Sequence, residues 1–392
     1  MWQLTEEEQD LQERVRQVAL SEIRPEALAV PDCCEYPADM FNTLARERLL
    51  GVALPKEHGG EGLSDLAACI VAEELARVSG TASLMAAYVS LATLPIVLAG
   101  SEEQQRRFLP PLAAGEQLGS YALTEPDVGS NPADLETTAE RHGDRWIING
   151  RKRFIGNAGL AWIYVVFART GGAGSKGLSA FVVPGDAPGL TNEPLRTMGM
   201  PGWQLGAPRF EDVEVPADHL RGQEGDGFKI AMQTFDRSRP TVAAQSVGLA
   251  QGAVDLALDY AQRRETFGQP LIEHQGVQFK LAALEASIAA SRALTYQAAA
   301  AIDRDDPELT KLAAMAKLLA SQTAMRATTE GVQVLGGNGY LKDYPAERMM
   351  RDAKVLEIYE GANEIQMLVI ARQMVLAASA RDPVWPECMP VT

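Results

Sequence analysis

Helical periodicity fills the first and last thirds of this chain, while the middle third carries short β-branched and aromatic runs, so a uniform bundle or a uniform sheet is excluded. In the first third, Thr5 and Glu8 form a capping-box pattern ahead of Leu11, Val15, Val18 and Ile23, and Pro25 is expected to stop that helix. Further helices are expected at about 40–50, 64–78, 82–98 and 101–112, the last with Gln104 completing a second box. Strands are expected at 146–149, 164–168, 178–183 and 210–215, with Asn149-Gly150 reading as a hairpin turn. Long Ala/Leu/Gln-rich segments at about 227–263, 272–304 and 307–335 need partners to bury their apolar stripes, as in an antiparallel bundle. A last helix follows Glu360-Gly361 to about Ala380, ahead of a loose Pro-containing tail. A chain of 392 residues exceeds what one core sustains. The expectation is a mainly α fold with a central β domain, divided as 1–119, 120–226 and 227–392.

A formal net charge of −16 argues against nucleic acid or an anionic membrane as a general partner. The longest apolar stretch, 82–100, is broken by Tyr88, Ser90, Thr93 and Pro95 and reads as a buried helix rather than a span. Acidic residues stand at the N-terminus where a targeting peptide would carry basic ones, so a cytoplasmic location is expected. Cys33, Cys34, Cys69 and Cys388 lack a CxxC context and read as reduced structural thiols. His58, His142, His219 and His274 are too scattered to suggest a metal site.

Three stretches could carry chemistry. Around Tyr121 to Ser130, Gly129 and Ser130 could bring backbone N–H groups and a hydroxyl to an anion, though the residues alone favour a helix-to-strand turn. After the long helix, Arg263 and Arg264 precede Thr266, Phe267 and a Gly-x-Pro stop; Arg264 could bind phosphate, or merely complement the helix dipole. The third stretch runs from Gln333 through Gly336, Gly337 and Gly339 to Tyr359, Glu360 and Gly361. A glycine C-cap accounts for only one of those glycines, and Glu360 alone could be a cap or a solvated side chain.

In order and spacing these stretches resemble the acyl-CoA dehydrogenase family over roughly Leu4 to Arg372. The resemblance implies an N-terminal helical domain, a β-barrel-like middle domain and a C-terminal four-helix bundle, with FAD between the last two and across a subunit boundary, usually in a homotetramer. It places Tyr121, Leu123, Thr124, Gly129 and Ser130 along flavin, with Ser130 also at substrate, and gives Phe154, Ile155 and Gly156 as a second flavin-facing loop. Arg264, Thr266 and Phe267, with Gln333, Gly336 and Gly337, match pyrophosphate and adenosine positions, and Ala362 and Glu364 lie near FAD. Asp236, Arg239, Tyr359 and Gly361 match the thioester channel, while Ala87, Tyr88 and Leu91 border the acyl pocket. Glu360 matches the catalytic base. Some members carry that base at the position of Ser238, which cannot serve here.

Such chemistry removes a weakly acidic α hydrogen as a proton and the β hydrogen as hydride to flavin, giving a trans-2-enoyl thioester. The carrier is implied to be CoA, with an acyl carrier protein as the alternative, and the acceptor an electron-transfer flavoprotein. Gly156 departs from the Ser or Thr usual in the second flavin loop and is also similar to certain acyl-CoA oxidases, which pass electrons to oxygen. Trp203 in 200–204, Ala362 and Asn131 are further departures.

Overall fold

The computed structural model describes residues 3–30 and 35–379. The chain opens with α1 (Glu6–Val18), where Thr5 and Glu8 close the reciprocal capping box. The stop expected at Pro25 does not occur, because a π-turn at Ala19–Ile23 leads straight into α2 (Arg24–Ala29). Pro25 falls in the first turn of α2, where a missing amide hydrogen matters least. The domain continues with α3 (Ala38–Arg46), α4 (Asp65–Ala76), α5 (Gly80–Ala99) and α6 (Glu102–Ala113), and Ser101 with Gln104 closes the second capping box.

The middle of the chain forms one sheet from β1 (Gly119–Ala122), β2 (Thr138–His142), β3 (Arg145–Arg151), β4 (Ile155–Gly156), β5 (Ile163–Arg169), β6 (Leu178–Pro184), β7 (Leu190–Leu195), β8 (Leu205–Pro216) and β9 (Leu220–Arg221). Its order is β4-β8-β3-β2-β5-β6-β9, with β1 parallel to β5 and β7 on β8. Side chains alternate across a strand, so β5 feeds two cores. Ile163, Val165 and Phe167 join the helices, while Tyr164, Val166 and Ala168 pack with Trp146 and Phe181 on the other face.

Asn149-Gly150 is not a hairpin turn. It lies inside β3 at a shift of register against β8, where Asn149 exchanges hydrogen bonds with Asp212. The actual β2–β3 turn is Gly143-Asp144, between the paired His142 and Arg145, with Gly143 in the left-handed region.

The last part holds α7 (Gly227–Arg263), the short pair β10 (Glu265–Thr266) and β11 (Gln269–Pro270), α8 (Gln275–Asp303), α9 (Leu309–Leu335), α10 (Ala346–Leu356) and α11 (Asn363–Ser379). Helix α10 was not expected, although Met349, Ala353 and Leu356 repeat at helical spacing and are buried. Helix α7 packs against α4, α5, α8 and α9, and its approach to α4 requires glycine. A Cβ on Gly248 would meet the Glu73 carbonyl oxygen at 2.0 Å, and one on Gly252 the Arg77 carbonyl oxygen at 2.2 Å.

Helix α5 is long and apolar enough to cross a membrane, but it packs against α4, α7 and β1 as the expected core helix. Cys69 is a buried free thiol. Cys33, Cys34, Cys388 and the Pro-containing tail lie outside the described residues.

Candidate active site

Three helices meet at the turn before α11. Glu360 sits there with φ +52°, in the left-handed region that a non-glycine residue adopts only when its surroundings impose it. Its carbonyl oxygen accepts from Arg239 Nε at 3.2 Å and Gln366 Nε2 at 3.3 Å. The next carbonyl, that of Gly361, accepts from Lys317 Nζ at 2.9 Å and Gln366 Nε2 at 2.8 Å. Gly361 favours glycine because its φ is +93°, and a Cβ there would also crowd Gln366 Nε2 at 2.6 Å. These contacts hold the turn from α7, α9 and α11.

The Glu360 carboxylate points to α7, where Ser238 Oγ donates to its Oε2 at 2.5 Å. Burial raises its pKa above the ordinary carboxylate value, and the Ser238 bond and the cations of Arg239 and Lys317 only partly offset that rise. Arg239 is spent on structure: it pairs with Asp236 at 3.1 Å and lies over the Phe235 ring. Asp236 in turn accepts from Thr310 Oγ1 at 2.7 Å. Tyr359 donates to Gln245 Oε1 at 2.7 Å.

Tyr121 packs against Phe167 and Phe235 beside this turn, and its pKa is raised by burial and then by the nearby Glu360 charge. Its backbone N–H donates to Tyr88 Oη at 3.3 Å, and Tyr88 donates to the Gly156 carbonyl at 3.2 Å. Tyr88 and Trp203 meet edge to face with centroids 4.9 Å apart. Between them there is no room for a side chain on residue 156: a Cβ would lie 2.6 Å from Trp203 Cζ2 and 2.6 Å from Tyr88 Cζ. Gly156 and Trp203, read separately as departures, are therefore one packing arrangement. Ala87 is half-buried and Leu91 buried on the same helix as Tyr88.

The 121–130 and 154–156 stretches are joined by a pair that sequence reasoning missed. Lys152 Nζ donates to Glu125 Oε1 at 2.8 Å and to the Leu123 carbonyl at 2.9 Å, with both charged groups buried. Glu125 also accepts from the amides of Glu136 and Thr137, and with Lys152 this holds its pKa below the usual value against burial. Burial lowers Lys152 to about 8. Leu123 is buried and Thr124 half-buried, whereas Gly129 and Ser130 are exposed. Phe154, at φ +59°, is exposed, but the Ile155 side chain is packed into the sheet core and leaves only its backbone for a ligand.

A second group lies at the far ends of α7 and α9, which Asn338 Nδ2 and Tyr260 Oη tie together at 2.9 Å. Arg264, Gln333, Gly336 and Gly337 are exposed there, and Phe267, at φ +53°, is 99 % exposed. Thr266 Oγ1 is hydrogen-bonded to His274. A helix rises about 1.5 Å per residue, so Arg264 stands roughly 39 Å along α7 from Ser238. The structure thus brings Tyr88, Tyr121, Gly156, Asp236, Ser238, Arg239, Tyr359, Glu360 and Gly361 together, and sets the Arg264 and Gly336 group apart. Ala362 and Glu364 flank the Glu360 turn, half-buried and exposed respectively.

Two features fit a bound dinucleotide. The buried Tyr121 hydroxyl and Gln245 Nε2 have no hydrogen-bond partner beside the Glu360 turn, and a buried polar group without a partner is uncommon. Added Cβ atoms on Gly129, Gly268, Gly336 and Gly337 would meet open space, so a ligand has room to approach the backbone there, although the Gly336 amide itself donates to the Val332 and Gln333 carbonyls.

Three domain families cover almost the whole chain. The acyl-CoA dehydrogenase N-terminal, middle and C-terminal domains match residues 5–116, 120–213 and 225–375. A probable acyl-CoA dehydrogenase of Mycobacterium tuberculosis is 42 % identical over 376 residues, 95 % of this chain and 97 % of that protein. The solved butyryl-CoA dehydrogenase of Megasphaera elsdenii is 37 % identical with a TM-score of 0.92, covering 96 % of this chain and 100 % of that one. A chain solved in work on the electron transferring flavoprotein of Acidaminococcus fermentans is 38 % identical with a TM-score of 0.93, covering 96 % and 99 %. With all three domains matched in order and the same fold throughout, the chain belongs to the acyl-CoA dehydrogenase family of FAD-dependent oxidoreductases.

Proposed function

We propose that this enzyme removes the α proton and the β hydride of an acyl-CoA to give the trans-2-enoyl thioester, with Glu360 as the base. The carrying observation is the state of that carboxylate: half-buried, raised in basicity by desolvation, and fixed in a left-handed turn by contacts from three helices. A raised pKa suits a base that must take a proton from carbon. Bound FAD supplies the electron sink for the β hydride.

Tyr121, Leu123, Thr124, Gly129, Ser130, Phe154, Gly156, Ala362, Glu364 and the Ile155 backbone would hold the flavin part. Ser130, Asp236, Arg239, Tyr359 and Gly361 would border the thioester, with Ala87, Tyr88 and Leu91 along the acyl chain. Because Arg239 is already bonded to Asp236 and to the Glu360 carbonyl, its part is to fix the turn rather than to grip substrate directly.

Arg264, Thr266, Phe267, Gln333, Gly336 and Gly337 would complete the FAD site of a second copy, since they lie too far along α7 to reach the same cofactor as Glu360. A homotetramer accommodates this, and the exposed Met367, Leu368, Met374, Val375 and Leu376 of α11 give further apolar surface for association. The acceptor would be an electron-transfer flavoprotein, in line with the Acidaminococcus neighbour. The oxidase reading draws on Gly156, which leaves no side-chain hydroxyl at that loop.

The test is anaerobic mixing with a panel of acyl-CoA thioesters. Wild type should bleach with its preferred substrate, and Glu360→Gln should hold flavin yet fail to bleach. Near-normal bleaching by that variant rejects the base. Admitting air then separates the acceptors, because rapid recolouring with peroxide marks an oxidase.

A further inference from the structure

Ser238 and Glu360 are 122 residues apart in sequence, yet their side chains form a hydrogen bond of 2.5 Å inside the protein. Ser238 is buried on α7, a helix immobilised by packing against α4, α5, α8 and α9, so its hydroxyl is a fixed point rather than a mobile donor. The bond uses Oε2 alone. Among the described residues, no hydrogen bond goes to Oε1 of the same carboxylate.

We propose that Ser238 is a positioning residue: it grips one oxygen of Glu360 on α7 and leaves the other to receive the substrate proton. The inference rests on the reading of Glu360 as the base. A serine hydroxyl has one proton to donate, and an ionised carboxylate is its stronger acceptor, so the bond favours the form that can act. It also removes one of the side chain's few freedoms before substrate arrives, which is how positioning contributes to rate.

The other groups facing this carboxylate cannot replace the bond. Arg239, on the same helix, directs its Nε to the Glu360 carbonyl and Nη1 to Asp236. Lys317 on α9 donates to Gly361 and Asn363. Tyr121 on β1 and the adjacent Tyr359 are phenols whose own ionisation the Glu360 charge opposes. Ser238 is therefore the single side chain that donates to the carboxylate among the described residues.

The experiment measures the anaerobic bleaching rate of wild type, Ser238→Ala, Ser238→Thr and Glu360→Gln from pH 6 to pH 9, with flavin content and melting temperature as controls. Losing a hydrogen bond to the charged form leaves burial unopposed. Ser238→Ala should therefore fall about tenfold or more below wild type at pH 6 and recover toward it at high pH. Ser238→Thr, which keeps the hydroxyl, should follow wild type. Should the alanine variant lose flavin, Ser238→Cys, a weaker donor of similar size, takes its place with the same expected displacement.

A Ser238→Ala profile that matches wild type, or an equal drop at every pH that Ser238→Thr shares, overturns the role of Ser238 even when Glu360→Gln is inert. Normal bleaching by Glu360→Gln rejects the base and this role together.

Discussion

Lys317 Nζ reaches the Gly361 carbonyl at 2.9 Å from a side chain with no exposed surface. A lysine so enclosed is held by its acceptors, Gly361 and Asn363, and it places a positive charge beside Glu360. Replacing it should loosen the turn that presents Glu360. Lys317→Met is expected to lose about 1–3 kcal/mol of stability, the scale of leaving buried acceptors unpaired, and to bleach more slowly at low pH than at high pH. Thermal melting and stopped-flow bleaching would check both parts.

The same lysine makes stability depend on pH. Burial lowers its pKa to about 8 from an ordinary value of 10.5, so between those values the unfolded chain binds more protons than the folded one. The contribution of Lys317 to stability therefore rises as pH increases from about 8 toward 10.5. Urea midpoints of wild type minus those of Lys317→Met should become more favourable to wild type between pH 7.5 and 9.5. A constant difference would contradict the burial account.

Gly156 offers a steric test. With Tyr88 and Trp203 both 2.6 Å from a hypothetical Cβ, Gly156→Ser must displace a ring and should cost about 1–3 kcal/mol. Adding Trp203→Ala should recover part of that loss, giving a positive coupling in a double-mutant cycle read by melting temperature. Additive effects would show that the three residues do not compete for one space.

The buried Lys152 and Glu125 pair should be a weak point of flavin retention. Lys152→Met leaves a buried carboxylate without its cation, a change on the order of 3–5 kcal/mol. The variant is expected to purify with reduced flavin absorbance and to melt earlier, whereas exposed Arg141→Met should do neither.

Phe267 and Arg264 test the proposal that two copies share a cofactor site. Phe267→Ala and Arg264→Ala should lower flavin occupancy while leaving the monomer's own core intact, because neither side chain is buried in one copy. Added FAD should restore absorbance and raise the melting temperature together. Full occupancy in both variants would remove these residues from the FAD site.

Much of the backbone was legible because burial leaves a periodic trace. The span 227–263 follows from its composition and its Arg263-Arg264 end, and the capping boxes at Thr5 and Ser101 are complete within four residues. Local signals failed where tertiary geometry reassigns them: the π-turn carries the chain through Pro25, and Asp212 turns Asn149-Gly150 into a bulge. Glu360, Tyr121 and Arg239 could be nominated by likeness, but their mutual contacts could not. Lys152 and Lys317 were missed for a physical reason. Charged residues usually face water, and nothing local in the sequence announces a lysine whose partners lie 27 and 46 residues away.

The left-handed backbone at Glu360 has a consequence for the economy of the whole protein. A non-glycine residue there carries about 1–2 kcal/mol of steric penalty, and glycine would avoid it while adding only about 0.5–1 kcal/mol of disorder to the unfolded chain. By that balance Glu360→Gly should melt no lower than wild type, and somewhat higher once its desolvated carboxyl is gone. On the role proposed for Glu360, the inert protein would then be the sturdier one, and selection for durability alone would favour losing this side chain.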